Sequence, residues 1–161
     1  MRDTLSALRL VSALCASVTL VACDADEARI GVYYPSDKVV PASQTRVMMS
    51  DGQKTYVLQG AELQPNGNYS TRPTVQAGQV SVDVSMSDAQ GSIATAHVAL
   101  RLQPDWEWGV TIHVDSTNPT RLCMGCMGAR SFPLRPGAGR TVRDSLWVVW
   151  GGNSIKNPVV Y

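Results

Sequence analysis

Between Val80 and Val114 the chain alternates apolar and polar residues almost without a break, and this confines it to half-buried β-strands. Val80, Val82, Val84 and Met86 alternate with Ser81, Asp83, Ser85 and Ser87. Residues two apart along a strand share a face, so one face is apolar and the other wet. After Asp88-Ala89-Gln90-Gly91 the pattern resumes at Ala94, Ala96, Val98, Leu100 and Leu102. A turn around Pro104-Asp105-Trp106 leads to Trp108, Val110, Ile112 and Val114. Taken in chain order, these three runs predict a meander of neighbouring antiparallel strands. No stretch after Cys23 holds apolar residues at three- and four-residue spacing, and 13 Gly and 9 Pro punctuate the whole,.

The remaining segments fit the same class. Arg29 to Tyr34 is a strand stopped by Pro35, and Thr45 to Met49 and Lys54 to Leu58 flank Ser50-Asp51-Gly52-Gln53. The Asp-Gly pair there accepts the positive φ angles of a tight hairpin turn. Pro65-Asn66-Gly67-Asn68 is a further turn. Ser145 to Trp150 is apolar on both faces and reads as a central strand, broken by Gly151-Gly152-Asn153, and Pro158 to Tyr161 reads as a short edge strand,. Seven or eight short strands with frequent turns predict a single all-β domain, 29–161, built as an antiparallel two-layer sandwich of immunoglobulin-like or transthyretin-like type. A small barrel is the alternative.

The first 22 residues stand apart. Arg2 and Arg9 precede an apolar run from Leu10 to Ala22 that Ser12, Ser17 and Thr19 alone interrupt, and acidic Asp24, Asp26 and Glu27 follow. A charged start, a short apolar middle and small residues at the end make up an export signal, and the run is shorter than a membrane span needs. Leu20, Ala22 and Cys23 match the Leu-x-Ala/Gly-Cys box, and here the chain resembles the bacterial lipoprotein class. That resemblance implies cleavage of the signal peptide 1–22, a diacylglycerol thioether on Cys23 and an acyl cap such as palmitate on its new amino group. It implies a place in the bacterial cell envelope, outside the cytosol and anchored to a membrane by lipid. Residues 23–28 then form a short tether.

After that cut, the 14 Lys and Arg lose Arg2 and Arg9 and the 13 Asp and Glu lose Asp3, leaving twelve of each sign. Nothing in that balance points to nucleic acid. Arg121, Arg130, Arg135, Arg140 and Arg143 occur with no acid between the first and last. They read as solvated loops, or as a basic face turned to anionic headgroups.

Cys123 and Cys126, in Cys123-Met124-Gly125-Cys126-Met127, are the cysteines left after Cys15 and Cys23 are assigned. In an oxidising compartment the first reading is a local disulfide. A metal site is the alternative. If the Asp105 turn is symmetric, His97 falls opposite His113; if the next turn centres on Asn118, His113 falls opposite Cys123. Neighbours in such a row lie about 4.8 Å apart. His97, His113, Cys123 and Cys126 would then suit Zn or Cu, with Met124 or Met127 as softer ligands. A thiol-redox role lacks the helix that lowers a thiol pKa in such motifs.

No hydrolase elbow, phosphate loop or paired carboxylate set is present, so no catalytic residues are nominated and no cofactor is expected. The sequence thus predicts a non-enzymatic binding or scaffold domain with an envelope protein or an extracytoplasmic ligand as partner. Trp106, at a turn, is the candidate exposed anchor, whereas Trp108 and Trp150 sit in apolar runs and belong to the core. Intact mass measurement of the native product should give a chain beginning at Cys23 and carrying acyl mass. An unmodified sulfur or an intact leader would remove the lipoprotein reading.

Overall fold

The long alternating segment folds as three strands, but they are not three neighbours. The computed structural model describes residues 27–64, 70, 72–117 and 125–155. The strands are β1 (Glu27–Tyr33), β2 (Thr45–Ser50), β3 (Thr55–Gln59), β4 (Thr74–Gln76), β5 (Gly78–Asp88), β6 (Gly91–Leu102), β7 (Trp106–Asp115), β8 (Gly128–Pro133) and β9 (Ser145–Ser154). They form a four-stranded sheet in the order β3-β2-β5-β6 and a five-stranded sheet in the order β4-β1-β7-β9-β8. The two layers make a β-sandwich and do not close into a barrel.

β5 and β6 pair as the alternation predicts, with Val82 opposite Val98 and Val84 opposite Ala96. At Leu102 the chain leaves that sheet. β7 lies in the other layer, parallel to β1 and antiparallel to β9. The expected meander is therefore corrected. A sheet with one apolar face needs a second layer to cover it, and the crossing turns the apolar side of β7 onto that of β5 and β6. Asp105 takes a left-handed φ of 59° at the crossing, and its N–H bonds the Glu27 carbonyl at 2.9 Å. Asp is among the few side chains that accept this region readily.

The buried set follows the two inner faces: Val80, Val82, Val84 and Met86 from one sheet, Ile30, Val32, Val110, Ile112, Leu146 and Val148 from the other. β9 is central, as its two-sided apolar pattern predicts, lying between β7 and β8. Gly151-Gly152-Asn153 does not break it, because β9 runs through to Ser154. Gly152 faces Trp108 across the ladder, and a Cβ added there would sit 2.7 Å from the indole. Gly128 likewise gives room to Trp150. These glycines are strand residues that make space for the tryptophan opposite each of them. β4 and β8 are strands that the sequence pattern does not announce, and Pro158–Tyr161 lies outside the described residues.

Polar groups close the layers where the strands end. Tyr34 is fully buried; its hydroxyl donates to the Val40 carbonyl and accepts from Thr45 Oγ1 at 3.1 Å. Burial pushes this phenol up to about 12. The Ser36 hydroxyl accepts from Val114 N at 2.7 Å, extending the contact of β1 with β7 beyond Pro35. Replacing Gly152 with Ala should cost about 1–3 kcal/mol in urea unfolding, because the methyl group overpacks against Trp108. A cost under about 0.5 kcal/mol would mean that the ring moves aside freely.

Candidate interaction surfaces

Each outer face of the sandwich carries one histidine, and each histidine has an aspartate. On β6, His97 points away from the core, and its Nδ1 lies 2.6 Å from Asp83 Oδ1 on β5. On β7, His113 points outward from the other sheet, with Nε2 3.2 Å from Asp115 Oδ2. That contact, followed by the Thr117 backbone N–H, lowers the Asp115 carboxyl below its ordinary range. Packed sheets are about 10 Å apart before outward side chains are added, whereas metal–nitrogen bonds are about 2 Å. His97 and His113 therefore cannot share an ion, and the predicted row across three strands does not form. Its physical cause is again the crossing at Leu102.

Cys126 lies over the outer face of the five-stranded sheet. The backbone of Gly125 and Cys126 packs on Gly151, with Gly125 O 2.7 Å and Cys126 Cα 3.5 Å from where a Cβ on Gly151 would stand. His113 pairs with Trp147, four residues along β9 from Gly151, a separation of about 13 Å,. Cys126 is thus out of reach of His113 as well. It is disulfide-bonded, so it offers no thiolate. Cys15, Cys23, Cys123 and Met124 lie outside the described residues. Among the described residues no three His, Cys, Asp or Glu side chains gather as a metal set. Met127 is 52% exposed.

Trp106 is not a free anchor. It is partly buried against the core, and its ring stacks on Trp108 at 5.6 Å between centroids. Trp108 is buried and Trp150 packs against the core, as predicted.

The arginine-rich loops are structural in large part. Asp88, at the end of β5, accepts from Arg135 Nη2 and, at 3.1 Å, from Arg140 Nη2. Arg135 also donates from Nη1 to the Gln90 carbonyl at 3.0 Å and from its backbone to the Ile93 carbonyl at 2.9 Å. The Arg140 side chain is only 5% exposed, and the partly exposed Arg135 guanidinium is engaged by Asp88 and the Gln90 carbonyl. The clamp joins the β5–β6 turn of one sheet to the β8–β9 connection of the other. Arg121 lies outside the described residues, Arg143 is exposed, and Arg130 stacks over Phe132 at 5.5 Å. The sequence displays these charges but not their acceptor, since Asp88 looks like one more turn residue.

A second carboxylate does the same work at the other end of the sandwich. Asp51 accepts from Gln53 N, Lys54 N and Gln76 N at 2.9, 2.7 and 3.0 Å, tying the β2–β3 turn to β4. The Gln76 N–H, then that of Lys54, holds its carboxyl below the usual range. The Arg135 hydrogen bond does so for Asp88.

The outer face of β3-β2-β5-β6 carries Met48, Val57, Ser81, Asp83, Ser85, Thr95, His97 and Arg101 in cross-strand rows. Val57, Met48, Asp83 and His97 form one such row, with Ser85 and Thr95 beside it. This outer face is mixed, with exposed Val57 beside Ser85, Thr95 and His97. Compared with protein-family models, with curated proteins and with solved structures, the chain matches none.

A carboxyl whose pKa is lowered by folding stabilises the native state above the ordinary value near 4, and that contribution is lost as pH falls through the lowered one. Thermal midpoints of the wild type should therefore drop progressively below about pH 4. Asp88→Asn should lower the midpoint at pH 7 and flatten the fall in acid. An unchanged midpoint at pH 7 would mean that the arginine clamp does not hold the layers together.

Proposed function

We propose that this chain is an exported bacterial lipoprotein, held in the cell envelope by lipid on Cys23, whose sandwich is a non-enzymatic binding or scaffold module. Its partner is an envelope protein or an extracytoplasmic ligand. The observation that carries this reading is the start of β1 at Glu27, four positions after Cys23. Four residues span at most about 14 Å when fully extended. β1 is an internal strand, bonded to β4 on one side and β7 on the other, so it has no slack to lend to the tether. A domain so attached works at the lipid surface. Several acyl chains hold far more firmly than one, since each buried methylene contributes about 0.8 kcal/mol.

Within this reading, Cys126 is bridged to Cys123 and the bond fixes the turn that crosses Gly151. A loop so short gains only about 2 kcal/mol from chain entropy, so its worth lies in shape. The contact surface is the outer face of β3-β2-β5-β6, whose Ser85, Thr95 and His97 are exposed.

Two experiments on the full chain test this. Cys23→Ser should move the protein from the membrane to the soluble extracytoplasmic fraction, and a variant that stays on the membrane would end the tether reading. A photo-crosslinking residue at Ser85 should trap a partner in intact cells, while one at exposed Val142, in the β8–β9 connection, should not. Trapping at Val142 alone would move the surface elsewhere.

A further inference from the structure

An edge strand offers unpaired backbone N–H and C=O groups to any chain that can lie beside it, and natural sheets usually blunt such edges. Of the four edges here, β4 has three residues, β3 five and β8 six, the last ending in Pro133. β3 and β4 also hold each other across the sandwich, through the Tyr56 hydroxyl on the Thr74 carbonyl at 2.7 Å and through Asp51 on Gln76. β6 is different. It is 12 residues long, contains no Pro, Lys or acid, and is paired to β5 on one side only. On its other side, among the described residues, the Arg135 N–H bonded to the Ile93 carbonyl is the single backbone contact. Among the described residues no further backbone hydrogen bond reaches that edge from Ala94 to Leu102, and the midpoint of that stretch is Val98.

We propose that two copies of this chain join through β6, antiparallel, about a two-fold axis at Val98, so that their four-stranded sheets become one continuous sheet. This register uses the whole open stretch, and the side chains suit it. On the inner side Ala94 meets Leu102 of the second copy and Ala96 meets Leu100. On the outer side Thr95 meets Arg101 and His97 meets Ala99. Val98 meets its own copy on the axis, each other pair sets a small residue against a larger one, and no basic group faces another. Moving the axis to His97 would set His97 against itself, and moving it to Ala99 would set Arg101 against His97. Either shift sets two bulky side chains directly opposite each other, where the register at Val98 sets small against large. Beyond Leu102 the partner strand reaches Pro104, which has no N–H to give, so pairing stops where Arg135 already covers Ile93. The contact is isologous and closes on itself, producing a dimer and not a fibre.

The dimer deepens the membrane reading, on which its orientation, though not the pairing, rests. Antiparallel β6 strands put the two Glu27 ends at opposite sides of the assembly. Tethers this short reach one bilayer only if the strands lie along it. The five-stranded layer, which holds β1, then faces the lipid, and the joined outer faces with Ser85 and His97 turn away from it.

The test co-expresses two full-length single variants, His97→Cys and Ala99→Cys, followed by mild oxidation in membranes. Residues directly opposite have Cβ atoms about 4.5–5.5 Å apart and diagonal ones about 7–8 Å, so the mixed disulfide should exceed either homotypic one by about fivefold. Equal or larger homotypic yields would overturn the register, and the absence of any cross-link would overturn the pairing. Sedimentation of the unmodified full chain in density-matched detergent should give twice the monomer mass, while a monomer at every concentration would overturn the dimer whatever the cysteine variants do. Loss of membrane association by Cys23→Ser with cross-linking retained would separate the pairing from the tether.

Discussion

Everything in this molecule depends on two half-apolar sheets burying those halves against each other. Val80, Val82 and Val84 on one side meet Val110, Ile112, Leu146 and Val148 on the other, all essentially without solvent. Each such side chain contributes about 1.5–3 kcal/mol on leaving water. That gain requires the chain to cross between layers after Leu102, and the crossing decides where every outward residue ends up. The tryptophans belong to the same interaction. Trp108 and Trp150 are accommodated because Gly152 and Gly128 stand opposite them, so large rings and absent side chains are one packing solution.

Hydrophobic burial does not hold the ends of a sandwich, where strands turn and backbone groups lose their ladder partners. Here short polar side chains take over. Asp51 gathers three backbone N–H groups at one end, and Asp88 gathers two guanidinium groups at the other. Both acids serve the contact between layers, and both are held in the ionised form by what they bind. Ser36, Thr45 and Ser70 are buried for the same reason, each with a hydrogen-bond partner: Val114, Tyr34 and Val32 respectively. An unsatisfied buried polar group would cost about 1–3 kcal/mol.

The two histidines are each satisfied by an aspartate and lie on opposite outer faces, and Cys126 is bridged and distant from His113. Among the described residues, these side chains therefore do not converge on one site. What the described residues add is an internal first strand that starts at Glu27, and a β6 whose outer edge takes a backbone hydrogen bond from Arg135 alone.

The alternation from Val80 to Val114, the Asp-Gly turn and the two-sided apolar run at Ser145 to Trp150 were enough to read the sandwich from the sequence, because strand periodicity is local and each inner residue declares its own face. The signal-like start and Leu20-Val21-Ala22-Cys23 are likewise local patterns, legible without any contact between distant residues. The sequence could not say which strands are neighbours. Alternation marks which face is apolar but carries no information on whether the next strand pairs beside it or packs above it, and the predicted His97–His113–Cys123 row failed on that ambiguity. The strands β4 and β8, the roles of Gly151 and Gly152, and the capture of Arg135 and Arg140 by Asp88 were also invisible. Each depends on a contact between residues far apart in the chain, and only the packed fold brings those residues together.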